Sequence, residues 1–134
     1  MMALDSSALL AIVLEEPEKP RFANEVAHTD CIIGAPNVLE AQLAAFARGG
    51  EQSLRSLRYL LAQPTIEIAD FTDRHAQVAF DAFERFGRGR HPAKLNFGDC
   101  MAYAVAKLAN APLLYKGGDF ALTDIRAALP QGPT

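Results

Sequence analysis

Short apolar runs alternate along the chain with longer stretches in which apolar positions recur every three or four residues. Met1–Leu4 is apolar and is followed at once by Asp5-Ser6-Ser7, which can cap a helix running from Ala8 to about Leu14. Pro17 and Pro20 interrupt that pattern, and Arg21–His28 supports a second helix. Cys31-Ile32-Ile33 is an unbroken apolar run, rich in β-branched residues, that suits a strand buried on both faces. From Asn37-Val38-Leu39-Glu40 a helical pattern runs to about Arg48, Gly49-Gly50 stops it, and Ser53–Ala62 resumes it until Pro64. Thr65–Ala69 alternates as a short strand does, and Thr72-Asp73 opens a long helix with Val78, Phe80, Phe83 and Phe86 on its apolar face. Gly87-Arg88-Gly89-Arg90-His91-Pro92 ends that helix in a loop. Met101, Ala104, Val105 and Leu108 at i, i+3, i+4, i+7 mark a helix from about Asn96. Pro112–Tyr115 reads as a fourth strand, and Asp124–Leu129 as a last helical turn or two before a Pro/Gly tail. Strands separated by helices imply parallel pairing with helices on both faces, an α/β fold.

Half of the 134 residues are hydrophobic, enough to bury the core of one domain without staples, here expected over 1–129 with 130–134 as a tail. Sixteen acidic against thirteen basic side chains leave a formal charge of −3, so the chain lacks the basic footprint of a domain that grips nucleic acid by charge alone. Cys31 and Cys100 stand in apolar surroundings without C-x-x-C spacing and read as buried free thiols. His28, His75 and His91 share no ligand spacing, and no Ser or Cys is visibly paired with a base, which disfavours zinc chemistry and triad catalysis. No apolar run approaches the ~18 residues that span a bilayer, and no basic leader with a cleavage site opens the chain, so a cytoplasmic address is expected.

The acids carry the chemistry. Ligands of open parallel sheets bind beyond the carboxyl ends of the strands. Asp5 follows the first strand, Glu40 lies near the start of the helix after the second, and Asp119 lies in the Gly-rich turn after the last. Asp99 adds a fourth acid from the start of its own helix. Singly, each has a structural explanation: Glu40 and Asp99 follow Asn37 and Asn96 at capping-box spacing, Asp5 and Asp119 can cap helices, and Asp124 suits a helix dipole. Together, converging carboxylates either hold protons or bind a hard cation such as Mg²⁺ or Mn²⁺, the arrangement of metal-assisted phosphodiester hydrolysis by an activated water. Spacing alone leaves a set of helix caps and an acidic metal site equally open. An aspartyl-nucleophile phosphotransferase is disfavoured because position 7 is Ser rather than a second Asp.

Four segments resemble the signature of PIN-domain ribonucleases of the VapC toxin type: Leu4-Asp5-Ser6-Ser7-Ala8-Leu9-Leu10-Ala11, Ala35-Pro36-Asn37-Val38-Leu39-Glu40, Leu95-Asn96-Phe97-Gly98-Asp99-Cys100 with Tyr103-Ala104, and Lys116-Gly117-Gly118-Asp119-Phe120 with Thr123-Asp124. They occur in the family's order and span the chain to about Leu129. The resemblance implies a three-layer PIN-like fold with a central parallel sheet of four or five strands and helices on both sides. It also implies Mg²⁺ or Mn²⁺ dependence, endonucleolytic cleavage of RNA, homodimerisation and inhibition by a VapB-type antitoxin. By position, Asp5, Glu40, Asp99 and Asp119 match the family's metal-binding acids, Ser6 a small hydroxyl beside the first, and Asp124 an auxiliary acid. Two positions depart from the commonest pattern: Gly118, where Asn or Asp is frequent, and Asn37, where Ser or Thr is frequent and which still serves as a cap. The competing reading is a PIN-fold binding or regulatory protein without turnover.

Arg85, Arg88, Arg90, His91 and Lys94 form the one dense basic stretch, just before the Asp99 helix. It reads either as a solvated loop or, through Arg88, Arg90 and Lys94, as the contact for RNA phosphates beside the metal. The amphipathic stretch of Leu54, Leu57, Leu60 and Leu61 with Arg55 and Arg58 reads as core-facing, with a dimer or antitoxin contact left open.

Overall fold

Side-chain alternation along the strands divides the interior into two cores. In the computed structural model, which describes residues 1–129, β1 (Met2–Leu4), β2 (Cys31–Gly34), β3 (Ile66–Ala69) and β4 (Leu113–Leu114) form one parallel sheet in the order β3-β2-β1-β4. The expected tail at 130–134 lies outside the described residues. Ala3 pairs with Ile32 on one side and Leu113 on the other, and Cys31 pairs with Ile66. Met2, Leu4, Cys31, Ile33 and Leu114 enter one core, whereas Ala3, Ile32 and Leu113 enter the other. A parallel sheet requires cover on both faces. α1 (Ser6–Val13), α2 (Lys19–His28) and α3 (Ala35–Leu61) supply the first layer, and α4 (Asp73–Phe86) with α5 (Phe97–Leu108) the second. The three-layer α/β architecture is as the sequence predicts, and Cys31 and Cys100 are buried free thiols.

Three local expectations are corrected. Helix α3 starts at Ala35 with Gly34 as its N-cap and Pro36 in the first turn, so Asn37 lies inside the helix and does not cap it. Proline is pre-organised for a first turn, and that moves the start upstream. The break expected at Gly49-Gly50 is not among these: Gly50 leaves helical geometry (φ 68°, ψ −160°) and separates two helical stretches of α3, the second of which returns Leu57 and Leu61 to the core. In α4 the buried residues are Ala79 and Ala82, while Phe80 and Phe83 are 63% and 37% exposed. Small residues allow α4 to pack closely on α5, and the phenylalanines are left at the rim of an apolar cleft of about 520 Å³ shared with Phe71, Phe97 and Met101. Finally, Asp124–Leu129 is not helical. A 3-10 turn at Phe120–Leu122 leads into an extended segment in which the N–H of Leu113 donates to Arg126 O (2.8 Å) and Ala128 N–H donates to Leu113 O (2.9 Å). The open edge of β4 presents backbone groups that need partners, and this segment supplies them.

The topology positions the site. From β1 the chain steps outward through β2 to β3, whereas β4 returns to the opposite side of β1. After β1 the chain enters α1 over one core, and after β4 it turns to Phe120 and Ile125 in the other. The divergence opens a crevice at the carboxyl ends of β1 and β4, the switch point at which ligands of such sheets bind.

Candidate active site

Asp5 stands at the floor of this crevice. Its N–H continues the ladder by donating to Leu114 O (3.0 Å), and its side chain caps α1 from an extended backbone (φ −83°, ψ 153°). Oδ2 accepts from the Ser7 N–H (3.1 Å) and the Ser7 hydroxyl (2.5 Å), whereas Oδ1 is buried and accepts nothing. The residue is only 4% exposed. Burial drives its pKa up to about 7; the bonds from Ser7 pull it down, and the charges of Asp99 and Glu40 push it further up.

Glu40, in the second turn of α3, is held by one oxygen. Oε1 accepts from the Ser6 hydroxyl (2.6 Å) and from Asn37 Nδ2 (3.2 Å), and the same Nδ2 donates to Gly98 O on α5 (3.1 Å). Both partners are acceptors, so the amide nitrogen of Asn37 faces them. Asn37 is fully buried and thereby clamps α3 to the first turn of α5. Glu40 Oε2 occupies the space that a Cβ on Gly98 would fill, so glycine at 98 is what allows the carboxylate to lie against this turn.

Asp99 occupies the third position of α5. Its Oδ2 accepts from Asn96 N–H (3.1 Å) while its own N–H donates to Asn96 Oδ1 (2.9 Å), a complete capping box. Capping and site membership therefore coexist here. Burial raises the Asp99 pKa; the Asn96 N–H lowers it, Glu40 and Asp119 raise it, and Arg88 lowers it. Asp119 is exposed at the start of the 3-10 turn, with no capping bond, after a loop in which Gly117 has φ 97°. The structure thus brings Asp5, Glu40 and Asp99 near enough for their charges to repel, with Asp119 near enough to act on Asp99. Among the described residues no group of three or more His, Cys, Asp or Glu side chains stands close enough, as placed, to hold a metal ion.

Asp124 is elsewhere. Its carboxylate accepts from Tyr103 OH (2.7 Å), Lys107 Nζ (3.0 Å) and Arg85 Nη2 (3.2 Å). Lys107 lies eight residues beyond Asp99 on the same helix, about 12 Å along its axis. Partial burial alone would raise the Asp124 pKa, but Tyr103, Lys107 and Arg85 outweigh it and hold the carboxyl below its usual range. The expected auxiliary acid is instead an anchor that docks the C-terminal segment onto α4 and α5. Of the basic stretch, Arg88 lies close enough to influence Asp99, whereas Arg90 Nε turns back to Glu84 O (3.1 Å). A bridge between Gly87 and Leu95 closes the loop that carries them, and Lys94 is exposed on it with φ 55°.

Sequence reasoning misses Ser7 and Gly98 and misassigns Asn37. A signal existed for Gly98, because a glycine in the first turn of an otherwise strong helix implies close approach of another group. Nothing local marks Asn37 as a partner of a residue 61 positions away.

A parallel α/β sheet with carboxylate and hydroxyl oxygens at its switch-point crevice defines the class of α/β proteins with an acidic candidate site beyond the strand ends. The family model described as PIN domain matches residues 2–125, and the chain belongs to the PIN-domain family. It is 39% identical over 132 residues to VapC ribonuclease Mb0640 of Mycobacterium bovis, covering 96% of this chain and 100% of that protein. Ribonuclease VapC of Mycolicibacterium smegmatis is 37% identical over 127 residues, covering 94% and 98%. Among solved structures, Mycobacterium tuberculosis VapC20, a toxin that cleaves the sarcin-ricin loop, superposes with a TM-score of 0.80 at 13% identity over 97% of this chain and 100% of that one. VapBC2 from Rickettsia felis, bound to a DNA fragment from its promoter, gives 0.68 at 14% identity over 94% and 96%.

Proposed function

We propose that this protein is an endoribonuclease of the VapC type that hydrolyses RNA phosphodiester bonds in the Asp5–Glu40–Asp99–Asp119 crevice with bound Mg²⁺ or Mn²⁺. The observation that carries the reading is the buried, unpartnered Asp5 Oδ1 beside two further acids. A carboxylate oxygen removed from water without a donor is costly unless a proton or a cation meets it. The donor set suits a hard cation. Asp5 keeps Oδ1 open because Oδ2 is committed to Ser7; Glu40 keeps Oε2 open because Oε1 is committed to Ser6 and Asn37. Asp99 keeps Oδ1 open because Oδ2 accepts from Asn96, and Asp119 stands on the solvent side. When bound, the metal supplies charge neutralisation and lowers the pKa of a water. Residues 1–129 are read as one nuclease unit.

Purified protein should cleave RNA in Mg²⁺ or Mn²⁺ and stop in EDTA. Folded Asp5→Ala and Asp99→Asn variants should lose activity by orders of magnitude. Cleavage that survives chelation in metal-free buffer would sink the reading. Arg88 is read as a contact for substrate phosphate, with Arg90 and Lys94 flanking it on the same loop. Arg88→Ala should weaken RNA binding and flatten its salt dependence by about one unit of slope, and Arg90→Ala should do so less because Arg90 is tied to Glu84. Salt slopes unchanged from wild type would remove the loop from the interface.

A toxin–antitoxin complex from Klebsiella pneumoniae superposes over 90% of this chain at a TM-score of 0.67 and 20% identity. The partner proposed here is accordingly a VapB-type antitoxin, together with a second copy of the chain. Leu39, Leu43, Phe46 and Phe97, all more than half exposed, support a protein partner. Among the described residues no helix is long and apolar enough to cross a membrane, and the cytoplasm, which holds RNA, is the compartment proposed.

A further inference from the structure

Ser7 makes more bonds than a helix cap needs. Its backbone N–H already satisfies the cap by donating to Asp5 Oδ2 (3.1 Å), yet its hydroxyl donates to the same oxygen (2.5 Å). The hydroxyl oxygen then accepts from Lys116 N–H (3.0 Å), 109 residues away on the chain leaving β4. A backbone N–H can only donate, so the single hydroxyl proton must point at Asp5. The contact therefore works as a rung beyond the end of the sheet. The last ladder bond between β1 and β4 runs from Asp5 N–H to Leu114 O, and Ser7 adds one two residues further along β4's exit.

Lys116 is held a second time through its side chain, which pairs with Glu16 (3.2 Å) and Glu18 (3.4 Å). Beyond it Gly117 and Gly118 are exposed, with nothing near the positions of their missing Cβ atoms, before the chain reaches Asp119. Lys116 is thus the last fixed point before the fourth acid. We propose that Ser7 is a positioning residue that couples Asp5 to the Asp119 loop, so that the two acids meet a divalent cation in a set relation. The proposal rests on the metal reading given above and extends it to a residue that touches neither substrate nor metal.

Ser7→Ala should fold, because alanine favours helix and the backbone cap bond remains. In the metal-free variant the Lys116 amide should exchange with deuterium faster than in wild type. By titration calorimetry, Mn²⁺ affinity should fall roughly 10–100-fold, the usual effect of losing a group that orients a ligand. Ser7→Thr, which keeps the hydroxyl, should restore both. The same Ser7→Ala change placed on Asp119→Ala should weaken Mn²⁺ binding by a distinctly smaller factor. Equal factors with and without Asp119, or an unchanged Lys116 exchange rate, would overturn the coupling. Wild-type protein that takes up no Mn²⁺ would instead refute the metal reading, while the exchange measurement would still decide the link between Ser7 and Lys116.

Discussion

Asp5 carries two opposed demands. It must be buried to sit between β1 and α1, and in the proposed function it must be charged to hold a cation. Two bonds from Ser7 offset part of the burial, but the pKa still stands at about 7 against 3.8 for a free aspartate. The folded chain therefore binds more protons than the unfolded chain between these values, so stability is full below the lower one and is lost as pH rises through about 7. The loss is of order 4 kcal/mol at most. The melting temperature of metal-free protein should fall across this window, Asp5→Asn should flatten the fall, and Mn²⁺ should restore wild type at the upper end. A wild-type melting temperature that rises over the window contradicts this account.

At the scale of elements, the site depends on how α3 meets α5. Asn37 donates to Glu40 on its own helix and to Gly98 on the other, and Glu40 Oε2 fills the gap that Gly98 leaves. Propensity alone says that Gly98→Ala should stabilise α5 by about 1 kcal/mol. Packing says the reverse, since the new Cβ would meet the Glu40 carboxylate. Gly98→Ala should lower the melting temperature and weaken Mn²⁺ binding, and a more stable variant with wild-type affinity would show that the contact does not hold Glu40. The Tyr103–Asp124–Arg85–Lys107 group belongs to this scale as well. It fastens the extended C-terminal segment, whose strand-like pairing with Leu113 was hidden because six residues give no clear period and the partner is an edge formed only on folding.

Over the whole molecule, an acidic crevice and an apolar face adjoin. Leu39 and Leu43 of α3 and Phe97 of α5 surround a hollow that also includes Glu40, and Pro36, Phe97 and Met101 continue it into the cleft beside Phe80 and Phe83. Residues of this size exposed together are a cost that a partner removes. Leu43→Asp should weaken self-association or antitoxin binding by at least an order of magnitude in sedimentation experiments, with the melting temperature of the free chain nearly unchanged. Wild-type association in both assays would show that the face is not used.

The strands and the helix layers were legible because period and capping are local, and so was the position of the candidate acids Asp5, Asp99 and Glu40 within a few residues of a strand end or helix start. Asp119 became a candidate through its neighbouring glycines and the family pattern. Folding decided what spacing leaves open. It placed β4 beside β1 and so made the crevice, turned Asp124 away to two cations and a tyrosine, moved Asn37 from a cap to an interhelical clamp, and put Phe80 and Phe83 at the surface. Each of these outcomes joins residues far apart in the chain, and such contacts depend on which elements pack together, a property that no local window contains.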